Sequence, residues 1–338
     1  MEYLKKIIKY FKKETIKLED LVYLNELLKT NLPIKTCLNL LKNRSNKELF
    51  DSLIDKLDKG YLIEEVIKDY LPKDISSYML NLLKRLSFNE SLELALSFHK
   101  KSNDNLKSIE KSLTYPLVLL FISLTALYLF DYYALDSVLD LMRSFNADIN
   151  TFSSFRVFIK ILIYVFYFVF IIVSILVLYF FNNKRISLFY ILISKYLPNS
   201  LLQTYFTEDF VSLFIICLRL GYKTKDAIEI LISLNNKPIV SLLAFHLDEK
   251  LLEGKSLKEA SDQSYFDSLL EKFINIASYS NDFTGIMNNY VELANEKIQN
   301  KIKLFTTILQ TFSYVVIGIV IIFIYQVLFL PMQAITAI

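Results

Sequence analysis

Three long uncharged runs constrain this chain more than anything else in it. Ser112–Phe130 is 19 residues without a charge, Ile161–Phe181 is 21, and Leu304–Ile338 is 35. A hydrocarbon core of about 30 Å needs roughly 20 apolar residues as helix, so each run predicts one membrane span. A mean hydropathy of +0.37 with 54% hydrophobic residues agrees. Only five Gly and six Pro in 338 residues leave too few turns for a many-stranded β protein. The expected class is therefore all-α, a polytopic membrane protein with three transmembrane helices.

The flanks of the runs predict orientation. Tyr115, Tyr128, Tyr132, Tyr133 and Tyr179 sit at run edges, as interfacial aromatics do. Lys100, Lys101, Lys107 and Lys111 precede the first run, Lys184, Arg185 and Lys195 follow the second, and Lys297, Lys301 and Lys303 precede the third. The stretch between runs one and two instead carries Asp131, Asp136, Asp140 and Asp148. Positive-inside reasoning puts the N-terminus in the cytoplasm and the C-terminus outside. Residues 1–17 read as a basic amphipathic segment, with Leu4, Ile7, Ile8 and Phe11 among six lysines and no removable signal peptide.

The two stretches predicted to be cytoplasmic repeat one pattern. Asp20 to Leu41 aligns without a gap to Phe210 to Leu231, which sets Asn31 opposite Gly221; both residue types tolerate the left-handed backbone that ends a helix. Gly60 to Val66 likewise matches Gly254 to Ala260, where Ser256 and Glu259 have capping-box spacing. Each copy ends in a long helix, about 90–112 and 284–303, that runs toward a span. The pattern predicts two duplicated cytoplasmic six-helix bundles.

Little in the sequence carries chemistry. Gly254-Lys255-Ser256 lacks the first glycine of a phosphate-binding loop, since position 249 is Glu249. His99 and His246 lie in opposite copies, and neither is in a metal-binding spacing. Cys37 and Cys217 stand far apart in apolar stretches and read as buried thiols. The spans hold no ionisable residue at mid-bilayer, unlike a transport path. A net charge of +3 gives no reason to expect nucleic acid bound directly. No catalytic, cofactor-binding or metal residue is expected, and an enzyme is not.

Several local motifs stand out together: Leu218-Arg219-Leu220-Gly221 before Ala227-Ile228-Glu229-Ile230-Leu231, then Gly254 to Ala260 (with Ser256, Leu257, Glu259 and Ala260 at the motif positions), Tyr115-Pro116 at the head of span one, Asp282 with Gly285, and Pro331-Met332 near the end. They resemble motifs of the type II secretion system F family, the polytopic platform proteins of type II secretion, type IV pili and competence pili. Copy one departs from the acid-and-glycine motif at Leu86-Ser87-Phe88-Asn89-Glu90, so a metal role for copy one does not carry over. Overall length and the short N-terminus resemble the competence-pilus branch.

That resemblance implies an inner-membrane platform protein that couples a cytoplasmic hexameric assembly ATPase to pilin or pseudopilin subunits, with membrane lipid around it, as a homo-oligomer and without a cofactor. The expected layout is 1–17 as above, 18–111 helical domain 1, 112–133 span one, 134–156 an outside loop, 157–181 span two, 182–303 helical domain 2, 304–330 span three and 331–338 an outside tail. Two rival readings stay open at this level: a small transporter or channel subunit, and a membrane enzyme with helical regulatory domains.

Overall fold

A computed structural model describes residues 15–144, scattered positions from 157 to 175, and residues 183–261 and 265–336. Among the described residues every regular element is helical, and the chain is an all-α polytopic membrane protein. The basic amphipathic segment expected over residues 1–17 lies almost wholly outside them, as does much of the second predicted span.

The duplication is visible helix for helix. The first copy is α1 (Leu18–Lys29), α2 (Ile34–Leu40), α3 (Lys47–Asp58), α4 (Ile63–Ile67), α5 (Lys73–Leu82) and α6 (Phe88–Leu129). A short π-helical segment, Phe130–Ala134, and α7 (Leu135–Ser144) follow it. Next comes α8 (Asn183–Tyr196). The second copy then repeats the order as α9 (Leu201–Arg219), α10 (Thr224–Ile232), α11 (Pro238–Leu252), α12 (Leu257–Ser261), α13 (Ser268–Ser278) and α14 (Phe283–Thr336).

Residues 1–104 and 186–295 make one compact unit, so the two copies are not separate modules. One continuous apolar core runs through it, with Leu21, Leu38, Leu53, Ile75 and Phe98 from the first copy and Leu213, Ile228, Leu243, Leu270 and Tyr290 from the second. The equivalent apolar stripes of each copy face the same interior, and burial of these side chains at about 25 cal/mol per Å² is the main force holding the unit.

The helix ends explain the sharp turns. α9 stops at Gly221, whose φ is +90°; Gly221 N–H donates to the Leu218 carbonyl at 3.0 Å and Tyr222 N–H to the Cys217 carbonyl at 3.2 Å. That paired arrangement satisfies carbonyls the helix leaves over, and it needs a left-handed residue. Asn31 fills the same place after α1 with φ of +60°. Gly60 and Gly254, with φ of +88° and +82°, end α3 and α11 in the same way.

Residues 105–185 and 296–338 form the second unit. Its small core joins Leu120, Leu124 and Leu127 of α6, Ile163, and Val316 of α14, with Leu309 packed alongside. All three predicted spans are thus represented there. Leu117, Phe121 and Ile122 on α6 and Ile308, Val315 and Ile322 on α14 are more than half exposed or close to it, a surface suited to lipid. Ser123, Thr125 and Ser313 return their hydroxyls to carbonyls four residues earlier, which keeps polar atoms out of that surface.

By length and composition three described helical segments can cross a membrane: Phe88–Tyr133, Leu201–Arg219 and Phe283–Ile319. The first contains predicted span one (112–133), and the last takes in residues 304–319 of predicted span three. The middle one is α9, of which 67% of the apolar window is buried within the protein, and it holds Glu208 and Asp209 at its centre. We read it as the core helix of the first unit. Pro116 does not interrupt α6, which stays helical on both sides of it. The missing N–H at Pro116 costs one bond, to the Ser112 carbonyl, and the helix continues past it.

Candidate functional site: the polar seam between the copies

Two adjacent acids in the middle of the most buried helix are the least expected feature of the first unit. Glu208 is 0% exposed and Asp209 2%. Each meets a lysine from elsewhere. Lys101 Nζ of α6 lies 2.7 Å from Glu208 Oε1, and Lys237 Nζ, which precedes α11, lies 2.7 Å from Asp209 Oδ2. Glu208 Oε1 also accepts from Ser212 Oγ at 2.8 Å and from Asn295 Nδ2 of α14 at 3.2 Å. A buried carboxylate is tolerable only when paired and hydrogen-bonded in this way. Burial alone would push the Lys237 ammonium down, but the Asp209 carboxylate outweighs it and holds Lys237 above its ordinary value.

Lys101 belongs to the first copy and Glu208 to the second, and further contacts follow the same line. Asn235 Nδ2 donates to Asn81 Oδ1 at 3.0 Å, Asn236 Nδ2 to Ser77 Oγ at 3.3 Å, and Arg85 Nη1 to Glu229 Oε2 at 2.8 Å. The end of α5 and the middle of α6 are therefore stitched to α9 and to the α10–α11 connection. A second cluster closes α9 against the start of α13: Thr204 Oγ1 donates to Asp267 Oδ2 at 2.6 Å, and Gln203 Nε2 to the Phe266 carbonyl at 2.8 Å. Tyr290 of α14 is fully buried, and burial pushes its phenol well up, with Asp267 and Glu208 adding to the effect.

In the seam, Glu208 and Asp209 are neutralised by lysines and Glu229 by Arg85, while Asp267 is held by Thr204 and by the Leu269 N–H. Among the described residues no group of three or more His, Cys, Asp or Glu could hold a metal ion. Its chemistry is the fixing of one copy against the other.

The motif residues serve local roles. Ser256 and Glu259 form a reciprocal cap at α12: Ser256 N–H donates to Glu259 Oε2 at 2.8 Å and Glu259 N–H to Ser256 Oγ at 3.3 Å. The Ser256 contacts hold the Glu259 carboxyl below its ordinary value. Leu257 packs on the core edge and Ala260 is fully buried. Asp282 caps α14 by accepting from Gly285 N–H at 2.8 Å, and a Cβ at Gly285 would lie 2.0 Å from Asp282 Oδ2. In the first copy, Ser87 and Glu90 do the same work for α6, with Ser87 N–H donating to Glu90 Oε2 at 3.0 Å. Sequence comparison missed this equivalence because the cap is kept while its residue types change. Tyr115 and Pro116 lie in the second unit, where Tyr115 Oη stands 3.5 Å from Tyr314 Oη. Pro331 and Met332 fall in the last turns of α14.

Sequence reasoning also passed over Glu208 and Asp209. Their signal was available as two charges centred in a 19-residue helix apolar enough to span a membrane. Residues 210–331 match the family described as Type II secretion system (T2SS), protein F. No curated protein matches the chain.

Proposed function

We propose, from the match of residues 210–331 to the type II secretion system protein F family, that this multi-pass protein is the inner-membrane platform of a type IV pilus or type II secretion machine, coupling a cytoplasmic assembly ATPase to pilin polymerisation. Within that class the competence pilus is the machine we favour. The residues outside the spans face the cytoplasm on this reading, except 134–156 and the C-terminal tail. The protein hydrolyses nothing itself; ATP is turned over by its partner, and the platform works as an oligomer.

One observation carries the coupling. α14 is a single helix of 54 residues that gives Met287, Tyr290 and Ala294 to the core of the first unit and Val316 to the core of the second. A force on the motor-facing helices has a hydrogen-bonded helix to travel along. Inserting a flexible Gly-Ser segment after Lys303 tests this. Membrane insertion and ATPase binding should persist while filament assembly is lost. Normal piliation or DNA uptake in the insertion strain would reject the coupling role, and solute flux or nucleotide turnover by the purified chain alone would favour one of the rival readings.

A further inference from the structure

Helix α8 has two unlike sides. One side is locked to the first unit: Tyr190 is 1% exposed and its hydroxyl donates to the Tyr265 carbonyl at 2.6 Å, its ring meets Phe206 edge-on at 5.4 Å, and Ser194 is buried beside it. Rotation of the helix about its axis is therefore fixed. The opposite side presents Leu188, Leu192 and Tyr196 at i, i+4 and i+8, exposed by 63, 55 and 71%, and Leu197 beyond them at 61%. A stripe of this kind on a water-facing helix is unfavourable at about 25 cal/mol per Å², so it calls for a cover.

We infer that this face of α8 docks into the headgroup layer of an anionic membrane leaflet. The inference rests on the reading that residues 182–303 lie on the cytoplasmic side. Three observations select lipid over other covers. The second uncharged run ends at Phe181, and Asn183 already begins α8, so Leu188 is held within roughly 15 Å of chain from the span. No Asp or Glu occurs between Asp148 and Glu208, while Lys184, Arg185 and Lys195 bracket the stripe, which matches the negative inner leaflet and offers nothing to a basic partner. Tyr196, with Lys195 Nζ 5.9 Å from its ring centre, is an aromatic of the type that settles at headgroup depth. In sequence alone, Ile193-Ser194-Lys195-Tyr196-Leu197 ahead of the second copy resembles Ile7-Ile8-Lys9-Tyr10-Phe11 ahead of the first.

The test uses the full chain with a nitroxide on Leu192→Cys, the two native thiols being buried. It is reconstituted into vesicles of phosphatidylcholine alone, or mixed with phosphatidylglycerol. With the anionic lipid, dissolved oxygen should relax the label more than a water-soluble nickel chelate does, at a depth of roughly 5–10 Å below the headgroup boundary. Lys195→Glu should reduce the immersed population about fivefold in anionic vesicles and leave neutral ones unchanged. A label open to the nickel chelate in both compositions overturns the inference, as does dipolar broadening between labels of two copies. Equal immersion in both compositions overturns the anionic requirement. Labelling of Leu192→Cys by an impermeant thiol reagent added outside intact cells would instead sink the cytoplasmic assignment, a result separate from the depth.

Discussion

Lys101 and Glu208 meet at 2.7 Å from opposite copies of the repeat, with the carboxylate fully buried and the lysine side chain 22% exposed. Removing one member leaves the other uncompensated. Lys101→Met should therefore destabilise the folded chain by about 3 kcal/mol, and Lys101→Met with Glu208→Leu by clearly less, because replacing a buried pair together is far milder than breaking it. Chemical denaturation of the four members of that cycle checks it; additive losses would mean the pair is not coupled. At Lys237 the raised folded-state value works in one direction only. Its contribution is complete below the ordinary lysine value of 10.5 and is lost as pH rises through the folded-state value, so this half of the seam should hold at neutral pH and fail in strong alkali.

Gly221 ends α9 at φ +90° with open space where a Cβ would stand. Strain at Gly221→Val would come from the backbone alone, and should cost on the order of 1–2 kcal/mol. Asn31→Gly at the equivalent turn should be neutral or slightly stabilising. Thermal unfolding of the full chain in detergent distinguishes the two, and an unchanged midpoint for Gly221→Val would contradict the turn.

At the start of α14 the obstacle is a neighbour and not φ. Gly285→Ala places its Cβ on the Asp282 carboxylate and should displace the cap, losing about 1 kcal/mol. Asp282→Ala should lose a similar amount, and the double variant little more than either, because both remove one interaction. Hydrogen exchange of the first turn of α14 reads this directly.

Burial pushes the Cys217 thiol up to about 12, and Cys37 also lies above its ordinary value for the same reason. At neutral pH neither presents appreciable thiolate. Alkylation of the native chain should be negligible and should become rapid only when the first unit opens, so its rate measures opening of the shared core. Fast labelling without loss of helicity would contradict that burial.

Reporter fusions check the orientation. A fusion after Lys184 or near Lys303 should give a cytoplasmic signal and one near Asp140 an outside signal. An outside signal at Lys184 would invalidate the three-span arrangement.

The sequence was most legible where a backbone requirement shows in residue type. Asn31 opposite Gly221 and the Ser256 to Glu259 spacing follow from chain geometry that few residues satisfy. It was least legible where contacts cross the repeat. Nothing local to Lys101 points to Glu208, and the periodicity that marks an apolar stripe does not say whether the stripe is covered by its own copy or by the other. The cap at Ser87 and Glu90 was hidden for a related reason: hydroxyl and carboxylate can exchange roles without altering the helix end.

The shared core has a consequence for how the protein is made. The ribosome finishes Phe98 roughly 10 to 40 s before it finishes Ala294 at ordinary elongation rates. During that interval the first copy is complete in sequence yet lacks half of the side chains that cover it, and span one is already passing into the bilayer. Nascent chains at this stage carry a large apolar surface, open to chaperones and proteases until the second copy arrives.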